Sequence, residues 1–194
     1  MTETKTLDGL PLDQRQALAY EQWLTLSTGG QTPLRQQFRP EKIVRALPAA
    51  MLLHIERGDF GIRFRQRLEG RFVTLAFGDG GGRTIEDIYT DEYLFDLMPR
   101  YLEAAMTGDP AMTRCTVSQG DDDRFDFTRL ILPFAGTDGK VNRLLVIFHF
   151  DPVALAQLSA PLKIRRETAT EAARKMYDQR PASAPLGIDV RKFG

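Results

Sequence analysis

The hydrophobic positions of this chain crowd most densely between Phe125 and Asp151, FDFTRLILPFAGTDGKVNRLLVIFHFD. Two runs rich in Phe, Leu, Ile and Val, Phe125 to Pro133 and Val141 to Phe150, flank Thr137-Asp138-Gly139, residues that tolerate a tight backbone turn. The pattern predicts an antiparallel hairpin. Along its second run Leu144, Val146, Phe148 and Phe150 fall on one side and Leu145 and Ile147 on the other, with His149 the polar exception. A strand that is apolar on both sides is covered on both sides, so two layers are expected to flank this sheet.

Elsewhere the period lengthens and shortens in turn. Asp13 to Thr28 has helical spacing, with Tyr20, Trp23, Leu24 and Ser27 near one stripe and Gly29-Gly30 as a stop. A connecting segment, Gln31 to Pro40, leads to a short helix over Glu41 to Leu47, ended by Pro48, with Ile43, Val44 and Leu47 turned inward. Ala50 to Glu56 and Phe60 to Leu68, split by Arg57-Gly58-Asp59, read as a second hairpin. The short apolar stretch Arg71 to Phe77 runs into Gly78-Asp79-Gly80-Gly81-Gly82, which reads as a strand-to-helix turn, and Thr84 with Asp87 resembles a capping box. A longer helix is expected from Asp91 to Met106, with Pro99 as a point of interruption, Leu94, Leu97, Met98, Tyr101, Leu102 and Ala105 across one sheet face, and Gly108 as terminator. A strand over Met112 to Ser118 and the acidic turn Gly120 to Asp123 follow. Leu162 to Gln179 reads as a charged helix and Arg180 to Gly194 as a mobile tail. The fold class is α+β, divided into a leader and helix over 1–30, a principal domain over 31–152, and an appended helix and tail over 153–194.

Composition narrows the partners. Over 194 residues, 26 basic residues balance 26 acidic ones, so no global field gathers nucleic acid or an anionic membrane, and neither is expected as a partner. No apolar run reaches the length of a membrane span and the N-terminus lacks a signal-peptide pattern, so a cytoplasmic location is expected. A single Cys excludes an intramolecular disulfide and a Cys-rich zinc site.

Candidate chemistry is sparse. Gly78-Asp79-Gly80 lacks the third glycine of a dinucleotide fingerprint, since position 83 is Arg, and no Lys-Ser/Thr pair makes a phosphate loop. His54 and His149 lie on predicted strands without other ligands at metal spacing, so each reads as a hydrogen-bonded sheet histidine and no metal is expected. Cys115 reads as a small half-buried strand residue, and Asp121 to Asp123 lack the spacing of a calcium loop. No acid and base are placed together, and the chain is not read as an enzyme. The arginines carry more information: Arg63, Arg65 and Arg67 alternate along FGIRFRQRL, where they either form a solvated face or, if covered, need carboxylates or an anionic ligand. Arg129 stands in the same position.

The order of these elements resembles the PAS domain superfamily, in its small alphaproteobacterial branch. The likeness covers Trp23 to Asp151 and rests on Trp23 upstream of Pro33-Leu34-Arg35, on Phe38-Arg39-Pro40 with Ile43 and Leu47-Pro48, on Phe64-Arg65-Gln66-Arg67-Leu68-Glu69-Gly70, and on Arg129 to Phe134 with Asp138-Gly139. It implies a five-stranded antiparallel sheet cupped by short helices, serving as a sensory or protein-interaction module. Cys115 lies outside the Asn-Cys-Arg helix motif of light-sensing relatives, and neither histidine is on a predicted helix, so neither flavin nor haem is expected as cofactor. Two readings follow. In one, the cup holds a small ligand anchored by Arg65, Arg67, Tyr101 and Arg129 through charge-assisted hydrogen bonds, and the module signals to a protein partner. In the other, the core is filled, and the helix bearing Tyr20 and Trp23 covers the outer face and mediates a homodimer.

Overall fold

Asp13 starts the first helix through a reciprocal cap: its carboxylate accepts from the Gln16 N–H at 2.8 Å, and the Gln16 side-chain oxygen accepts from the Asp13 N–H at 3.1 Å. In the computed structural model, which describes residues 5–59, 61–118, 124–158, 161, 162 and 164, this helix follows a small hairpin of β1 (Thr6–Leu7) and β2 (Leu10–Pro11), and it is α1 (Gln14–Leu26). Three 3-10 turns lead to β3 (Ala50–Gly58) and β4 (Gly61–Glu69). Helices α2 (Arg71–Phe77), α3 (Ile85–Ile88) and α4 (Asp91–Thr107) come next, then β5 (Ala111–Ser118), β6 (Arg124–Ala135), β7 (Val141–Phe150) and α5 (Pro152–Gln157). The protein is α+β, with a five-stranded antiparallel sheet in the order β4-β3-β7-β6-β5.

Both predicted hairpins are present. Leu130 faces Ile147 across β6 and β7, and Ile55 faces Phe64 across β3 and β4. The turn over Thr137 to Gly139 closes with the Gly136 N–H donating to the Lys140 carbonyl at 2.9 Å, and Gly139 sits at φ +75°, where a side chain would be strained. The two apolar sides of β7 divide as expected. Leu144, Val146, Phe148 and Phe150 join the core under α2 and α4, while Leu145 and Ile147 join a second core under α1.

On the outer side, Trp23 is 5 % exposed, and its indole N–H donates to the Pro133 carbonyl at 2.7 Å. The buried stripe of α1 is Gln16, Ala19, Gln22 and Trp23, so the helix is rotated from the expected setting and Leu24 is left 45 % exposed. Glu41 to Leu47 is not one helix: 3-10 turns at Pro40–Ile43 and Leu47–Ala49 bury Ile43 and Ala46, and Val44 points outward at 59 % exposure.

Three further expectations change. Arg71 to Phe77 is a helix, so the glycine run after it joins two helices. The chain turns into α2 at Gly70, where a Cβ would collide with the carbonyl oxygens of Leu47 and Pro48. Thr84 makes no capping bond, since its hydroxyl donates to Asp87 and accepts from Arg63. Helix α4 runs unbroken through Pro99, whose missing N–H would have served the carbonyl of Phe95; Phe95 is 82 % exposed, so water reaches that turn. Among the described residues no helix is long and apolar enough to cross a membrane. The acidic turn over 120–123, the expected helix over 162–179 apart from Leu162 and Ile164, and the tail over 180–194 lie outside the described residues.

Candidate functional site

The cup between α4 and the sheet is built on one sheet face by strand alternation. Thr113, Arg129 and Phe148 stand opposite one another on β5, β6 and β7, with Cys115, Phe127 and Phe150 in the next such row. From above, α4 presents Tyr93 and Tyr101, two turns apart on the stripe that also carries Leu97. Tyr89 follows α3, and Phe77 ends α2.

Arg129 is the polar centre of this arrangement, at 1 % exposure. Its Nε–H donates to Thr113 Oγ1 at 3.1 Å, and its Nη1 makes a longer contact of 3.4 Å to Tyr93 Oη. The guanidinium carbon lies 5.8 Å from the ring centres of Tyr93 and Tyr101 and 5.9 Å from that of Phe127. Among the described residues no carboxylate pairs with it. A buried cation without a counter-charge is costly, and three ring faces at about 0.5–2 kcal/mol each are what offset that cost here. The Tyr101 hydroxyl is buried without a hydrogen-bond partner among the described residues, and the contact to Arg129 is made by its ring.

Protonation follows from burial. Desolvation raises the pKa of both Tyr93 and Tyr101, with Arg129 pulling the other way. Burial likewise raises the Cys115 thiol, against the pull of Arg129. For Arg129 itself, desolvation works against the charge, and the attraction that Tyr93, Tyr101 and Cys115 exert once they ionise outweighs it, so the guanidinium is not deprotonated before those groups are. Near neutral pH the site is a fixed cation among neutral phenols and a protonated thiol, a set suited to holding an anionic or polar group rather than to moving a proton.

Of the four residues expected to anchor a ligand, the structure brings Arg129 and Tyr101 together and places the others elsewhere. Arg65 stands opposite His54, on the sheet face away from Arg129. It is bound there by Glu56 through Nε at 2.5 Å and Nη2 at 2.9 Å, and by the Gly82 carbonyl at 2.7 Å. That hydrogen bond holds the Glu56 carboxyl below its ordinary value. Arg67 is exposed at the register shift opposite Leu52 and Leu53. Arg63 is exposed and reaches Asp87 at 2.9 Å, so Arg63 and Arg65 both pair with carboxylates. Tyr20 is half-buried and stacks on Trp23 with centroids 6.4 Å apart, and Trp23 is buried against the chain's own sheet. His149 Nδ1 lies 3.0 Å from Asp13 Oδ2 on the outer side, and His54 Nδ1 meets Arg143. Tyr93, Tyr89, Phe77 and Thr113 are additions to the site. Tyr93 was legible as the residue four positions before Leu97 and eight before Tyr101. No protein-family model matches the chain, and a search of curated proteins found no match.

Proposed function

We propose that the chain is a PAS-like regulatory module that acts by associating with other protein chains, its cup closed by its own side chains. The observation that carries this reading is the Phe77 ring. It fills the middle of the cup and meets Tyr89, Tyr93, Phe127, Phe148 and Phe150 with centroids between 5.4 and 6.4 Å. Phe64 and Tyr101 close the adjoining space at 5.6 Å. A ligand of ordinary size needs a cavity of about 300 Å³ or more, and rings occupy that place. The sheet with α4 and its short neighbours on one face and α1 on the other agrees with the resemblance argued from Trp23, the β4 arginines and Arg129 to Phe134. Association with other chains is the role that this resemblance implies.

A second reading has its own support. The guanidinium N–H groups of Arg129 that find no acceptor among the described residues, together with the Tyr101 hydroxyl, suit an anion of a few atoms. Native mass spectrometry of the purified chain separates the two. Whole-number multiples of the bare 21.9 kDa chain support the filled cup. A small added mass that is released on denaturation, and is missing from Arg129→Met, supports the bound anion.

A further inference from the structure

A groove of about 850 Å³ lies between the first turns of α1, the 40–48 segment and the start of α2. Phe72 lies in it, and two guanidinium groups are set over its ring: Arg71 at 4.9 Å and Arg15 at 5.4 Å from the centroid. Lys42 and Arg45 line the same groove and are exposed. None of these four cations pairs with a carboxylate among the described residues. Two of the acids in the wall are already engaged, Asp13 with His149 and the α1 cap, and Glu21 with Lys5. Only Glu21 has a cationic partner of its own, so Asp13 and Glu41 are left to balance the four cations. In a chain whose basic and acidic residues cancel, this is a local excess of positive charge and does not follow from composition. Like charges held over one ring repel, and an anionic occupant relieves that repulsion.

We propose that this groove docks an acidic segment of a partner protein, with Arg15, Arg71, Lys42 and Arg45 receiving its carboxylates and the 59 % exposed Val44 receiving an apolar side chain. The ring favours a peptide over a nucleotide, because Arg15 and Arg71 already lie over the surface on which a base would stack. The proposal rests on the association reading for the class of occupant, but not on the state of the cup, so the two are tested apart.

The test is fluorescence anisotropy of the full chain with a short labelled peptide of Glu, Asp and Leu, set beside its Gln, Asn and Leu counterpart and a labelled ATP analogue. Saturable binding of the acidic peptide is expected, weakened by about tenfold or more in Arg15→Glu/Arg71→Glu and by raising salt to about 0.5 M. Lys42→Glu/Arg45→Glu, both at exposed positions, is expected to weaken it in the same direction, and Arg100→Glu on α4 to leave it unchanged. The proposal is overturned if the acidic peptide does not bind, if the neutral peptide binds as tightly, if the folded charge-reversal variants bind as the wild type does, or if the nucleotide is the species that responds to them. Arg129→Met is expected to bind the peptide normally, which keeps failure here distinct from failure of the cup reading.

Discussion

A guanidinium buried among phenols and phenyl rings keeps its charge, because arginine does not release its proton under the conditions in which proteins fold. The charge of Arg129 therefore rests on π faces and two neutral oxygens, which stabilise it less than a carboxylate would. Replacing it with an apolar side chain of similar length should cost little: urea unfolding of Arg129→Met is expected to lie within about 1 kcal/mol of the wild type or above it. Arg129→Lys keeps the charge and loses the planar contact and the Nε–H bond to Thr113, and is expected to lose about 2 kcal/mol. A Met variant several kcal/mol less stable would mean that the ring faces and neutral oxygens hold the guanidinium more strongly than its burial costs. The phenols give a pH signature. Burial raises Tyr93 and Tyr101 above their ordinary value of 10.0, so the unfolded chain releases these protons first. Their contribution to stability is full below about pH 10 and is lost as pH rises from there toward the folded values. Melting temperatures followed from about pH 8 to 11 should fall at the alkaline end, and less so in Tyr93→Phe/Tyr101→Phe. The sequence marked Arg129 and Tyr101 as candidates because a charged residue in an apolar run and an aromatic at helical spacing are visible locally. It grouped them with Arg65 and Arg67 because the face a strand presents depends on which neighbours it pairs with, and that pairing spans distant residues.

Helix α1 owes its seat to a buried stripe of Gln16, Ala19, Gln22 and Trp23, whose polar members and indole donate to Thr128 and to the Ile147, Arg39 and Pro133 carbonyls. Trp23→Phe keeps most of the ring burial and removes the donor to the Pro133 carbonyl, and equilibrium unfolding should report a loss of about 1–3 kcal/mol. A larger truncation, Phe77→Ala in α2, opens a void among five rings and should cost about 3–5 kcal/mol. The long elements were legible for a plain reason. Strands of nine to twelve residues and a helix of seventeen show their period several times over. Helix α2, with seven residues, shows it barely twice, and because Val73 and Phe77 share a face in a strand as in a helix, only the buried Ala76 and the exposed Leu75 separate the two patterns. The segment over 40–48 misled for a related reason: its prolines allow tight turns as readily as a helix, and tight turns bury Ala46 and expose Val44.

At the scale of the whole molecule, the sheet separates two cores with different compositions. One is an aromatic cup around a cation, and the other is an aliphatic layer sealed by Trp23 and Phe38. That both faces of β7 would be covered was readable from its unbroken apolar run. That α1 would leave a basic groove beside α2 was not, since Arg15, Lys42, Arg45 and Arg71 come from three elements and meet only through the fold. The central claim is that the cup is completed by the chain's own side chains and that the molecule works through association. Native mass spectrometry addresses the cup most directly: the account predicts species at whole-number multiples of 21.9 kDa with nothing added, for the wild type and Arg129→Met alike. A reproducible extra mass on the wild type that is shed on denaturation and absent from Arg129→Met would contradict it.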